Sequence, residues 1–431
     1  MNLAFFEDIY YENFLPIAYT RPVYEIRCSI GPLYQKISRM FPEAKQVFFT
    51  RDYLAPVFSN RVKGSPVNRV EALDDDTLFV NGALLPSKNL KEIITRNMGK
   101  NVVVLQQGRV AFAYLRESLC GELGDLFTKP IGDMEIQKIK EKVEVKEVDG
   151  LTLLEYPWEI IDYSVELLSE EFSLVSKGES EGYIDDGVKI YGDPKKLYVA
   201  RDAVIEAGVV IDVRKGPVYV GEESLIQAPS RIDGPAYFGR DNQVFGALIR
   251  EGCSFGDVCR LGGEIEETIF QGYSNKRHRG FLGHSYVGEW VNLGALTTNS
   301  DLKNDYSNVK IYVKQRLMDS GRIKLGCFIS DHVKTGIGFI MNTGTVIGVM
   351  SNVLSSGEPS PKLIPSFCWY FRGKFSKGLG LSSMIETARI VMSRRGVSLT
   401  DEEVQLFHKL YELTREEREK LIRRSKARRR F

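Results

Sequence analysis

The chain is poor in the residues that most often advertise chemistry. Among 431 residues there are four histidines and six cysteines, and no two cysteines form a C-x-x-C pair. The scattered cysteines, at 28, 120, 253, 259, 327 and 368, exclude a dense disulfide framework and fit reduced thiols in a cytoplasmic protein. An excess of one charge is lacking too. Lys and Arg (58) nearly cancel Asp and Glu (57), so no global field draws in nucleic acid or an acidic membrane. No run of about 18 uncharged apolar residues occurs, and the opening MNLAFFEDIYYENFLP turns polar too early for a signal peptide, so neither membrane nor export is expected. Glycine is absent before Gly31, which excludes a glycine-rich phosphate loop after the first strand.

What is present changes texture along the chain. From Asn2 to about Phe172, short β-like runs (LAFF, QVFFT, DTLFVNG, NVVVLQQ, VAFAYL) alternate with helical stretches such as Leu33 to Met40 and Asn89 to Arg96. That alternation predicts an α/β domain over residues 1–175. The polar stretch SKGESEGYIDDG opens a linker over 176–196, because its serine, glycine and acidic residues bury too little surface to order themselves.

From 197 to 365 a third texture appears. Apolar residues recur every six positions at Val220, Ile226, Ile232, Phe238 and Val244, and again at Ile249, Phe255 and Leu261. This period fits neither a helix nor an ordinary strand, and it predicts a parallel β-helix built from hexapeptides. The ladder slips phase at 244–249 and breaks between Glu266 and Gly280, where a loop or wider corner is expected. It resumes at Phe281, Val287 and Leu293. Residues 366–431 carry helix signals from Ser382 to Arg395 and two capping boxes, Thr400 with Glu403 and Thr414 with Glu417, before a basic end, RRSKARRRF.

Three of the four histidines, 278, 284 and 332, fall in the repeat region. His278 stands among Lys276, Arg277 and Arg279, which would attract phosphate and oppose protonation of the imidazole, so it is the stronger candidate for a general base. His284 lies within a hexad and reads as a wall. A zinc site formed by His278, His284 and His332 is a separate possibility that spacing leaves open. In the first domain, Arg21, Glu25 and Arg27 of FLPIAYTRPVYEIR, and Asn81 with Gly82 at a predicted strand end, sit where ligands of open α/β sheets bind. The run Asp74, Asp75, Asp76 reads as an acidic turn before a strand.

Five segments, LPIAYTRPVYEIR, YPWEIID, KGPVYVG, GGEIEETIFQGYSNKRHRGFLGHSYVGEWVNLGALTTNSDLKN and PKLIPSFCW, give the chain a resemblance to a known family. It resembles the bifunctional UDP-N-acetylglucosamine pyrophosphorylase/glucosamine-1-phosphate N-acetyltransferase family, GlmU, and within it a divergent sugar-phosphate nucleotidyltransferase-like branch. The resemblance implies a nucleotidyltransferase-like α/β domain, a left-handed parallel β-helix that trimerises, and a helical tail. It further implies that acetyl-CoA and a sugar phosphate meet at the β-helix. The pattern H-x-x-[YF]-L-G…N-x-G-A-G then places the acetyl-transfer base on His278, the sugar contact on Asn292, the sugar-phosphate contacts on Arg250 and Lys276, and a backbone contact near the thioester on Ala295. Phe281 replaces a tyrosine, Glu266 stands near the position of a phosphate-binding lysine, and Leu296 replaces the second glycine of G-A-G. Ala83 stands where an aspartate would hold Mg2+, so nucleotidyl transfer with UTP would run through Arg21, Glu25, Arg27 and Lys129. The alternatives are a nucleotidyltransferase whose β-helix only trimerises, and a non-catalytic sugar-nucleotide binding protein.

Overall fold

The computed structural model describes residues 1–427 except 88 and 177; the end of the basic tail, 428–431, lies outside the described residues. The chain forms two compact units. One comprises Met1–Ile26 with Gly31–Pro157, and the other Arg27–Ile30 with Trp158–Phe431.

The first unit is built on a six-stranded sheet. Its strands are β1 (Asn2–Phe6), β2 (Lys45–Phe48), β3 (Thr77–Asn81), β4 (Val102–Gln106), β5 (Arg109–Leu115) and β6 (Glu144–Glu147), in the order β2-β1-β3-β5-β4-β6. Only β5 runs antiparallel to its neighbours. Strands β1 and β3 to β5 are apolar on both sides because both sides of the sheet are covered. Leu3, Phe5, Leu78 and Val80 face one core, while Ala4, Phe6, Phe79 and Val103 face the other. The helices expected near 33 and 89 form at Leu33–Ser38 and Leu90–Asn97. The acidic run is a turn: Asp74 pairs with Lys45 at 3.0 Å, Asp75 with the N-terminal ammonium, and Asp76 accepts the Tyr114 hydroxyl.

In the second unit, helix Pro157–Val175 is followed by a parallel β-helix of short strands, and the apolar ladder is its interior. Three inward rows run along it. The first face stacks Ile205, Ile226, Val244, Leu261 and Lys276 in register, with Thr335 and Val353 further on. The second stacks Ile211, Ile232, Ile249, Ile265 and Leu282, then Asn299 on Met341. The third stacks Val199, Val220, Phe238, Phe255, Phe270, Val287, Ile329, Ile347 and Ile364.

Several expectations change here. The stretch read as a linker already holds strands Tyr183–Ile184 and Lys189–Tyr191, which pair with Val204–Ile205 and Val210–Asp212, so the coils begin before 197. The anticipated break after Glu266 is not a loop. Strands Ile269–Gly272 and Asn275–Lys276 continue the helix, and the rung is disguised because its inward residue is Lys276. Leu282 rather than Phe281 is the next inward rung, and Phe281 faces out. The slip at 244–249 is a bent strand whose register shifts between Phe245 and Leu248. An excursion over 300–326 carries the hairpin Lys310–Val313/Arg316–Asp319. Strands Trp369–Phe371 and Lys374–Ser376 extend the coils past 365 before the tail helices Leu381–Ser393, Asp401–Leu413 and Arg415–Ala427.

The Thr400–Glu403 capping box forms, with both reciprocal hydrogen bonds. Thr414 instead donates its hydroxyl to the Leu410 carbonyl and accepts from Arg418. Thr400→Ala is expected to cost about 1 kcal/mol, read as faster amide exchange in the first turn of helix Asp401–Leu413. Among the described residues no helix is long and apolar enough to cross a membrane.

Candidate active site on the β-helix

Each face of the β-helix has an outer side, and two of the three are packed by the chain itself. On the third face, the Ser254 hydroxyl donates to the Ser29 carbonyl at 2.6 Å, and the Ser29 N–H donates to Ser164 of helix Pro157–Val175 at 2.8 Å. On the first face, Arg395 from the tail donates to Asn275 Oδ1 at 3.1 Å. The second face carries outward Arg231, Leu248, Glu264, Phe281 and Thr298 in one row, and Asp233, Arg250 and Glu266 in the next. A recess of about 640 Å³ is lined by Arg231, Asp233, Arg250, Glu264 and Glu266 among others.

Two corners bound this face, and a histidine stands at each. Between the first and second faces the turn 277–280 is exposed at Arg277, His278 and Arg279. Lys276, only 2 % exposed, turns its ammonium inward to the carbonyls of Gly262 (3.1 Å) and His278 (2.9 Å), fastening the turn from beneath. Burial pushes this ammonium down to about 8. On the next coil the Leu296 N–H donates to the Arg279 carbonyl at 2.9 Å, so Ala295 and Leu296 stack beside the His278 turn. Asn292 is exposed, and its Oδ1 accepts from Asn275 at 3.3 Å.

Between the second and third faces stands His284. Its Nδ1 lies 2.9 Å from Asp301 and its Nε2 3.2 Å from Glu267, and Lys324 pairs with Glu266 at 3.2 Å. Burial opposes the positive charge, yet the hydrogen bonds and charges of Asp301 and Glu267 outweigh it and hold the imidazole near 9. The Phe281 ring lies across Gly283, where a Cβ would stand 2.4 Å from it, so any larger residue would have to displace the ring. Glu266, Glu267 and His284 offer ligand atoms within 4.8 Å of one another. However, a protonated imidazole has no lone pair to give a metal.

The sequence-predicted residues separate accordingly. His278, Lys276 and Ala295 gather at one corner, and Asn292 lies on the first face next to Asn275. Arg250 lies on the second face, paired with Glu264 at 3.3 Å and Asp233 at 3.7 Å. His278, His284 and His332 occupy three different corners, so within one chain they do not converge on zinc. His332 stacks on Trp290 and meets Phe407.

The first unit answers differently at the end of β1. Arg51 grips Glu7 through Nε (3.1 Å) and Nη2 (3.2 Å), and Glu7 also accepts from Thr50 and the Val23 N–H. Asp8 is taken by Arg109 and Asn81, both at 2.9 Å, and by the Tyr10 N–H. Asn81 also donates to Val110 and accepts from Ala83. Arg21 is buried and its carbonyl accepts from Arg51, while Glu25 pairs with Arg61 at 3.0 Å and Lys129 is exposed. Arg27 belongs to the second unit, where its N–H donates to Gln271. Gly82 is fixed by packing, since a Cβ would stand 2.7 Å from the Tyr24 ring. Gly82→Ala is expected to destabilise this unit by roughly 1–3 kcal/mol, measured by denaturant melts of Tyr fluorescence.

The chain thus joins an α/β sheet covered on both sides to a hexapeptide β-helix. Comparison with known proteins bears out the resemblance read from the sequence. Residues 3–180 match the family described as sugar nucleotidyl transferase. The chain is 31 % identical over 244 residues to the bifunctional sugar-1-phosphate nucleotidylyltransferase/acetyltransferase of Sulfurisphaera tokodaii, covering 56 % of this chain and 54 % of that one. It is 27 % identical over 241 residues to the bifunctional protein GlmU of Methanococcus maripaludis, covering 54 % and 52 %. It thus spans about half the length of the curated relatives it matches. The solved UDP-N-acetylglucosamine acyltransferase of Francisella novicida aligns at 11 % identity with a TM-score of 0.27, over 55 % of this chain and 87 % of that one.

Proposed function

We propose that the protein is a cytoplasmic transferase of sugar-nucleotide biosynthesis that acetylates an amino-sugar phosphate from acetyl-CoA at the second face of its β-helix, working as a homotrimer. The observation that carries this reading is the division of labour between the two corner histidines. His284 has both ring nitrogens committed to carboxylates and stays protonated up to about pH 9, so it cannot accept a proton at neutral pH. That leaves His278, exposed on a turn anchored by Lys276. In the reaction, the sugar amine attacks the thioester carbonyl while His278 takes its proton. The C–N bond forms, the C–S bond breaks, and the imidazolium returns the proton to the departing thiolate. Arg250 would hold the phosphate and Ala295 would line the thioester, while Asn292, on the first face, would reach the hydroxyls of a sugar bound across a subunit contact. The outer side of the second face, which carries Arg250 and Glu264, is the surface we assign to neighbouring subunits.

Glucosamine-1-phosphate and acetyl-CoA, with release of free thiol followed over time, test this directly. Thiol release that depends on the sugar and disappears in His278→Ala supports the reading; equal rates in wild type, His278→Ala and His284→Ala overturn it.

Nucleotidyl transfer is the second reading, favoured by the family match over residues 3–180. The residues at the end of β1 do not fit a bound Mg2+ as they stand, because the Glu7 and Asp8 carboxylates are filled by arginines, Asn81 and backbone donors. Pyrophosphate release from UTP and a sugar-1-phosphate, lost in Arg51→Ala, would establish this second activity.

A further inference from the structure

A cavity of about 550 Å³ lies at the far end of the β-helix, between the hairpin of the 300–326 excursion, the segment 359–363 and helix Arg415–Ala427. It is remote from the His278 corner: three coils separate Val287 from Ile364, roughly 14 Å along the axis.

Its walls combine two kinds of group. Tyr312, Tyr370 and Phe375 supply flat apolar surface, while Lys362, Lys420 and Arg424 supply positive charge against one lining carboxylate, Glu417. Lys362 is half-buried, and its ammonium donates to the carbonyls of Lys310 (2.8 Å) and Thr343 and, at 3.4 Å, to the Thr343 hydroxyl; among the described residues no carboxylate pairs with it. Burial, together with the charge of Lys303, lowers its basicity, as expected of a cation lacking a counter-ion. Burial also raises the pKa of Glu417, which weakens the only lining anion. The Ser360 hydroxyl, in a residue 3 % exposed, makes no hydrogen bond among the described residues. A buried hydroxyl left unpaired is costly, and so is a half-buried cation without an anion. A phosphate supplies the missing anion, taking the place of the long Thr343 hydroxyl contact of Lys362, while its organic part packs on the aromatic wall.

The geometry points to a second ligand site in this cavity, for a phosphate ester carrying an aromatic or apolar body, of which nucleotides and coenzyme A are two sources.

Because all six native cysteines are buried, a single new cysteine can be labelled selectively. Leu317, 48 % exposed on the cavity wall, suits an environment-sensitive fluorophore as Leu317→Cys in the full chain. Titration with UTP, with coenzyme A and with inorganic phosphate is expected to give a saturable signal with at least one organic phosphate, at least tenfold tighter than with inorganic phosphate. Lys362→Met should weaken that binding at least tenfold, and equilibrium dialysis of unlabelled protein should show one bound equivalent fewer in Lys362→Met than in wild type. His278→Ala should leave the titration unchanged, so the acetyl-transfer reading can fail without affecting this one. No saturable response of the fluorophore, equal affinity for inorganic phosphate, or indifference to Lys362→Met would overturn the site.

Discussion

His278→Ala is expected to slow acetyl transfer by roughly 10²–10⁴-fold while leaving the fold intact, the loss typical of removing a positioned general base. The structural side follows from exposure: the imidazole packs against nothing that its removal would leave void, and the turn is fastened by the carbonyl of residue 278, which alanine keeps. Circular dichroism and subunit size should therefore match wild type while thiol release collapses. Lys276→Met gives the complementary result. It keeps the imidazole but removes the ammonium that ties the Gly262 and His278 carbonyls together, so the turn is free to wander. Misplacing a reacting group by about 1 Å can cost on the order of 10²-fold. Partial loss in Lys276→Met, with the pH profile of the residual rate unchanged, would identify Lys276 as a positioning residue. A Lys276→Met enzyme with normal rates would instead show that the turn holds its shape unaided.

The two architectures were legible in the sequence for different physical reasons. Hexads announce themselves because each inward rung must be apolar, and the rows Ile205–Ile226–Val244 and Ile211–Ile232–Ile249 obey that rule. Legibility failed where the rule was broken from within. Lys276 and Asn299 occupy inward rungs, satisfied by backbone carbonyls and amides of neighbouring coils rather than by apolar contact. A hydropathy pattern registers such rungs as a gap, and so the coil after Glu266 looked like a loop. The polar stretch near 183 hid a first coil for a related reason: a terminal coil has only one neighbour and can leave its outer positions to solvent. In the first unit the sequence puts Asn81 and Gly82 at a strand end, but only the fold shows that buried ion pairs, Arg51 with Glu7 and Arg109 with Asp8, fill that end.

The His284 clamp was legible in principle. Glu267, His284 and Asp301 are spaced 17 residues apart, one coil each, so they had to stack on a single corner. The same spacing links Asn275 to Asn292. The hexad period marks the rungs alone. Reading across coils would have found the corner.

The clamp leads to the second large effect. Replacing His284 with alanine leaves Glu267 and Asp301 facing each other without the cation between them, at the base of the 300–326 excursion. Lys324, at the returning end of that excursion, is held by neighbouring Glu266, so the His284 cluster pins both ends of the segment. His284 rises from 6.5 to about 9 on folding, so its contribution is fully present below about pH 6.5 and fades as the pH climbs through 9. The full rise is worth roughly 3 kcal/mol. Glu267 is held low by the hydrogen bond to His284. Asp301 is held low as well, because that bond and charge outweigh its own burial. Their contribution is present above the ordinary carboxylate range and is lost as the pH falls through it. The clamp is therefore whole across the neutral range and opens on both sides. Because the chain contains more than one cooperative unit, the readout is local. Proteolytic cleavage within 300–326 should be slow and flat near pH 7 in wild type and accelerate above pH 9, whereas His284→Ala should be cut about 10²-fold faster at pH 7 and show no further step near 9. His284→Lys, which restores a cation of higher pKa, should recover part of the protection and move the alkaline step upward. Equal cleavage of wild type and His284→Ala at pH 7 would mean that the hairpin's own core, built on Val309, Ile311 and Val313, anchors the excursion without the clamp.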